Sequence, residues 1–150
     1  MHSRSVFLLI IAWLSILPAS SQQKYSDFAT LTRRINSLHG KYPQLCTVKS
    51  LARTAGGRDI WLLTAGTGNR DGKPGIVICG GIEGNHLLGQ ELALGFVEKL
   101  LEDYSQPEVK SILEKITFYV LPDLSPDGTE KYFASTRYER IVNTRSYDKD

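Results

Sequence analysis

The chain has 150 residues, a formal net charge of +2, 41% hydrophobic and 23% charged side chains. That balance is the one of a globular protein with a single core, and it excludes a disordered or fibrous chain. Basic and acidic residues are interspersed, so no basic stripe argues for nucleic acid and no acidic block for a cationic partner.

The first residues differ in kind. A basic start at His2 and Arg4 leads into an apolar run from Val6 to Leu17, followed by Pro18, Ala19, Ser20 and Ser21. This is the layout of a signal peptide over residues 1–21, leaving 22–150 as the mature part. An apolar run of about 12 residues falls short of the roughly 20 that cross a bilayer. The expectation is export to an extracellular or periplasmic space, with no membrane attachment once the leader is removed. The two cysteines, Cys46 and Cys79, each lie in an apolar, strand-like segment. An oxidising compartment would allow them to pair, but two buried thiols acting as small hydrophobes are the expectation.

From Asp27 to His39, Phe28, Leu31, Ile35 and Leu38 recur at helical spacing, with Ser26 as the N-cap and Gly40 as the stop. Leu45 to Leu51 reads as a strand, Gly56-Gly57 as a turn and Ile60 to Leu63 as the returning strand of an antiparallel pair. The uninterrupted run Ile76-Val77-Ile78-Cys79 predicts a strand covered on both faces. Beyond Gly80-Gly81, Leu88, Leu92, Phe96 and Leu100 stand four apart, as on the buried face of a helix ending near Asp103. Pro107 opens a short helix to Leu113, and Thr117 to Leu121 is a further strand without charge. Strands alternating with helices predict an α/β fold: a mixed parallel/antiparallel twisted sheet with helices on both faces. Ligands in such folds sit at the carboxyl ends of strands, here the loops Gly80 to His86 and Pro122 to Gly128.

The first of these loops carries Glu83 and His86, three residues apart on a glycine-rich bend. A carboxylate oxygen and an imidazole nitrogen are an ordinary pair of zinc ligands, and glycine lets the backbone bend there without a Cβ penalty. Taken alone, the pair reads first as a helix N-terminus, with Glu83 favouring the dipole and His86 an exposed polar residue, because isolated His and Glu seldom bind metal.

Four ordered blocks add context. They are Leu38-His39-Gly40-Lys41-Tyr42-Pro43, the hairpin Ser50 to Ile60 with Thr54, Gly57 and Arg58, the stretch Lys73 to Gly89, and Tyr119-Val120-Leu121-Pro122-Asp123-Leu124-Ser125-Pro126-Asp127-Gly128. In order and spacing the chain resembles the M14 zinc carboxypeptidase family from about Tyr25 to Asp150. One departure concerns the metal: the family reads His-x-x-Glu where this chain reads Glu83-Gly84-Asn85-His86, so Glu83 takes the histidine position and His86 the glutamate position. Ser125 also replaces the asparagine that the family places before Pro-Asp-Gly.

The resemblance implies an exported metallocarboxypeptidase that removes C-terminal residues from peptides, with zinc held partly by Glu83 and His86. It also implies a substrate-binding arginine after the second loop. Arg140 is the expected counterpart among Arg137, Arg140 and Arg145, the alternative being surface ion pairs with Glu139 and Asp148. The family's third zinc ligand, its general-base glutamate and the groups that grip the terminal carboxylate have no counterpart here. His2 and His39 are not placed for the first of these roles. The chain is therefore expected to be the N-terminal part of a larger domain, inactive by itself. Asp148 and Asp150 read either as the opening of a calcium loop or as a solvated acidic turn. The competing readings are a related zinc amidase acting on cell-wall peptides or acyl amino acids, and a non-catalytic relative that binds peptides or glycans.

Overall fold

The computed structural model describes residues 25–134. The expected leader at 1–21, the arginines at 137, 140 and 145, and the acidic pair Asp148 and Asp150 lie outside the described residues.

Helix α1 spans Phe28–Lys41. Its N-cap is Asp27, whose side chain accepts from the Thr30 N–H at 2.8 Å, and not Ser26 as the sequence suggested. Both residue types cap helices, and here Ser26 has other obligations. It is 3% exposed, gives its N–H to Glu91 Oε1 at 2.7 Å, accepts Gln90 Nε2 on its carbonyl at 2.8 Å and accepts Arg34 Nη1 on its hydroxyl at 2.9 Å.

Strands β1 (Cys46–Arg53) and β2 (Asp59–Ala65) form the expected antiparallel pair, with a register irregularity between Ser50 and Ala52. Strand β3 covers Gly75–Cys79, helix α2 Leu87–Glu102, helix α3 Pro107–Lys115, strand β4 Thr117–Leu121 and helix α4 Pro126–Phe133. Pro107 opens α3, and β4 has the bounds expected from its sequence. The sheet order is β1-β2-β4-β3. β4 is antiparallel to β2 and parallel to β3, so the sheet is mixed as expected.

One hydrophobic cluster joins Leu31, Ile35 and Leu38 of α1, Ala93, Leu94, Val97 and Leu101 of α2, and Cys46, Leu63, Ala65, Phe118 and Val120 of the strands. Helices α1 and α2 therefore lie side by side on one face of the sheet. Arg34 ties them together, bonding Glu98 through Nε at 2.9 Å and Nη2 at 2.6 Å and Glu91 through Nη1 at 2.5 Å. Burial works to raise the Glu91 carboxyl, yet the bonds from Arg34 and Ser26 outweigh it and hold it below its ordinary value.

Three expectations about burial are corrected. On α2, Leu88, Leu92 and Phe96 are exposed, at 57%, 64% and 37%, while Leu87, Gln90, Ala93, Leu94, Val97 and Leu101 are buried. The helix is apolar over most of its circumference, so four-residue spacing fits two stripes, and the sheet selects the other one. On β3, Ile76 and Val77 are 43% and 64% exposed, because the strand pairs only with β4 and none of the described residues covers its second face. The cysteines split: Cys46 is buried, with its thiol pushed up to about 11 by burial against the opposing pull of Arg70, whereas Cys79 is exposed. They sit on the two outer strands of the four, three inter-strand steps of about 4.8 Å apart. That exceeds the roughly 7 Å limit between disulfide-linked Cα atoms, and both thiols are free.

Replacing Arg34 with alanine would leave the Glu91 carboxylate, 11% exposed, without its cation. The expected loss is about 2–3 kcal/mol of unfolding free energy, measured by urea denaturation, with Arg34→Lys recovering only part of it because an ammonium cannot span both carboxylates.

Candidate metal centre

Beyond Cys79 the parallel ladder runs on for a step: the Gly80 N–H donates to the Leu121 carbonyl at 2.8 Å, and the Leu124 N–H donates to the Gly80 carbonyl at 3.2 Å. The two strand-end loops are thus stitched together from their first residue. Gly81 has φ +54, a region that L side chains rarely adopt, and a methyl group placed on it would stand 2.6 Å from Asp123 Oδ1.

A turn follows, closed by the His86 N–H donating to the Glu83 carbonyl at 2.9 Å. Within it, Gly84 has no left-handed backbone to accommodate. Its requirement is space, since a methyl group there would collide with the backbone of Gly128 and Thr129. Gly81 and Gly84 are buried, whereas Ile82, Glu83, Asn85 and His86 are exposed. The glycines press the loop onto its neighbour while the donors face outward.

Closing the turn brings the first and fourth side chains together. Glu83 Oε2 and His86 Nδ1 stand 3.4 Å apart, with side chains 61% and 71% exposed. Two donors bound tetrahedrally at zinc distances of about 2.0–2.2 Å would be separated by about 3.4 Å. Donor type, spacing and solvent access therefore fit two ligands of a zinc ion. Among the described residues no group of three His, Cys, Asp or Glu side chains could hold a metal. His39 is engaged elsewhere, its Nδ1 lying 2.9 Å from the Cys46 carbonyl. Glu83 stands outside α2, which begins at Leu87 with no acidic residue in its first turn, whereas His86 occupies that helix's N-cap position and is exposed, as the alternative reading has it.

The second loop is built around Asp127, which is 1% exposed. It accepts Thr54 Oγ1 at 2.8 Å, the Gly56 N–H at 3.1 Å and Arg58 Nη1 at 3.1 Å, and Arg58 Nε also reaches Glu130 Oε2 at 3.4 Å. The β1-β2 hairpin tip is thereby clamped onto the N-terminus of α4. Gly56 lies so close to the Asp127 carboxylate that no side chain fits there. Sequence reasoning placed Thr54, Gly57 and Arg58 in one block and Asp127 in another, without joining them.

Asp123 was also passed over. It is 3% exposed, its Oδ1 accepts the Ser125 N–H at 2.9 Å, and its Oδ2 finds no partner at hydrogen-bonding geometry. Burial pushes the carboxyl up to about 6, against the pull of the nearby Thr129 hydroxyl and the Ser125 N–H, and the Asp127 carboxylate adds to the rise. Ser125 is the residue before α4, and its carbonyl accepts the Thr129 N–H at 2.9 Å.

The fold is shared with solved carboxypeptidases. Carboxypeptidase A from Helicoverpa armigera superposes with a TM-score of 0.73 over 97% of this chain and 37% of its own, at 19% identity. A metallo-carboxypeptidase from Burkholderia cenocepacia gives a TM-score of 0.58 over 66% of this chain and 27% of its own, at 26% identity. The zinc carboxypeptidase family model matches residues 31–149, and the chain belongs to that family. Carboxypeptidase B of Astacus astacus is 31% identical over 122 residues, which are 81% of this chain and 39% of that protein. Human carboxypeptidase D is 27% identical over 131 residues, 85% of this chain and 10% of that protein. The chain thus spans about two fifths of the length of the Astacus astacus protein.

Two substitutions check this geometry. Gly84→Ala should cost about 1–3 kcal/mol through overpacking against Gly128 and Thr129, read from the shift in the urea midpoint. Asp123→Asn tests the buried carboxyl. Its pKa of about 6 stands above the ordinary 3.8, so its contribution to stability is fully present below about pH 4 and lost as pH rises through about 6. The variant should match the wild type at pH 4 and exceed it at pH 7 by up to about 3 kcal/mol, measured as unfolding free energy at both pH values.

Proposed function

We propose that this chain supplies the first part of a zinc-dependent carboxypeptidase site, with Glu83 and His86 as two of the metal ligands, in an exported enzyme that shortens peptides from the C-terminus. The observation that carries the reading is the 3.4 Å approach of Glu83 Oε2 to His86 Nδ1 on a glycine-seated turn. It leads from the strand end where this family keeps its ligand pair. The reversal of ligand order is accommodated because both side chains project from the two ends of one hydrogen-bonded turn, so either residue type reaches the same point between them.

The bound metal would supply Lewis-acid polarisation and an activated water. The chain's own residues hold the site in place. Gly81 and Gly84 seat the ligand turn on the second loop, Asp127 and Arg58 fix the hairpin tip beside it, and a cleft of about 310 Å³ lined by Glu83, His86, Gly81 and Ile82 stays open above it. Peptides are the substrate class because Astacus and human relatives are carboxypeptidases, and Arg140 is the proposed contact to the scissile carbonyl. Export follows from the leader at residues 1–21, and no helix among the described residues is long and apolar enough to cross a membrane.

In the full-length protein, His86→Ala and Glu83→Ala should each weaken zinc binding by 100-fold or more, on the order of 3 kcal/mol, in a chelator-competition titration. Each should bring peptide hydrolysis to background. The double exchange Glu83→His with His86→Glu, which restores the order of the family, should retain zinc and activity. Tight zinc binding unaffected by either alanine would refute the ligand assignment. Zinc binding with hydrolysis of N-acyl amino acids or muropeptides but not of peptides would reassign the substrate.

A further inference from the structure

Asp123 has no part in the reading above, although it lies against Gly81, two residues before the turn that bears the two donors. Its Oδ1 is the atom that a methyl group on Gly81 would strike first, at 2.6 Å, with Asp123 Cα next at 2.9 Å. Gly81 is the one residue of the ligand loop with a left-handed backbone, and it stands two residues before Glu83. The carboxyl is held in place from its own side by the Ser125 N–H at 2.9 Å. The backbone on either side is pinned as well, through Gly80 N–H to Leu121 and Leu124 N–H to the Gly80 carbonyl. Two backbone bonds and one buried side chain on the neighbouring strand end thus meet where the loop leaves β3.

We propose that Asp123 is a positioning residue for the Glu83 and His86 pair: its carboxyl group, locked by the Ser125 N–H, is the seat on which the Gly81 bend rests, and through that bend it sets the direction from which the hydrogen-bonded turn presents the two donors. The proposal rests on the zinc reading of that pair, but its geometric half stands without metal. Groups that orient ligands from behind govern affinity because a donor pair that must be re-formed on binding loses free energy to ordering.

Three variants of the full-length protein decide the matter. Asp123→Asn keeps both the shape and the acceptor for the Ser125 N–H, so its zinc affinity should stay within about threefold of the wild type. Asp123→Ala opens a gap under Gly81 and should weaken zinc by 10-fold or more. Asp123→Ser opens a smaller gap and serves if the alanine variant does not fold. The second readout is metal-free: the ring-nitrogen resonances of His86, which respond to the placement of the neighbouring Glu83 carboxylate, should move in the alanine and serine variants and stay in place in the asparagine variant. A folded alanine or serine variant with unchanged zinc affinity and unchanged His86 resonances would overturn the proposal. If the wild type binds no zinc yet the His86 resonances shift as stated, the zinc reading fails and the positioning role stands.

Discussion

The close approach of two strand-end loops, made possible by the missing side chains of Gly80, Gly81 and Gly84, is the constraint on which the rest of this site depends. Each of these glycines touches the segment after β4: Gly80 lies against the Pro122 carbonyl, Gly81 against Asp123 and Gly84 against Gly128 in the first turn of α4. Parallel pairing of β3 with β4 delivers both loops to the same end of the sheet. Glycine then lets the backbones meet without intervening side chains, and the exposed positions between them become a short platform for Glu83 and His86. A third loop, from the β1-β2 hairpin, is drawn in by the buried Asp127. Backbone contact and one buried carboxylate thus do the assembling, leaving the outward-facing side chains free for chemistry.

Much of this was legible in the sequence. The bounds of β4, the start of α3 at Pro107 and the antiparallel hairpin follow from local pattern, and so does the place of the Glu83-x-x-His86 bend at a strand end. Burial was less legible where local pattern is degenerate. α2 carries apolar residues on two faces, and only the position of the sheet decides that Leu94 and Val97 go inside while Leu92 stays out. The apolar run of β3 is compatible with a doubly covered strand, but coverage is a property of neighbours and not of the strand itself. Ser26 and Asp27 are both competent caps, and the choice is settled by Glu91, Gln90 and Arg34, each distant in sequence.

The buried acids show the same limit from another side. Asp123 and Asp127 sit in a Pro-Asp-Leu-Ser-Pro-Asp-Gly stretch that looks like surface turn chemistry, since carboxylates are seldom buried without partners. Their burial becomes predictable only when Gly56, Gly81 and Gly84 are recognised as residues that make room for a neighbour rather than residues that turn the chain. A glycine whose φ is ordinary, such as Gly84, is the better signal of such a contact.

The central claim is that a carboxylate and an imidazole in reversed order still converge on one zinc ion. Anomalous diffraction at the zinc edge, on crystals of the zinc-loaded full-length protein, tests it most directly. The account predicts a peak within about 2.0–2.2 Å of both a Glu83 oxygen and a His86 nitrogen. A zinc peak that contacts neither residue, or crystals that hold no zinc while Glu83 and His86 remain paired with each other, would contradict it.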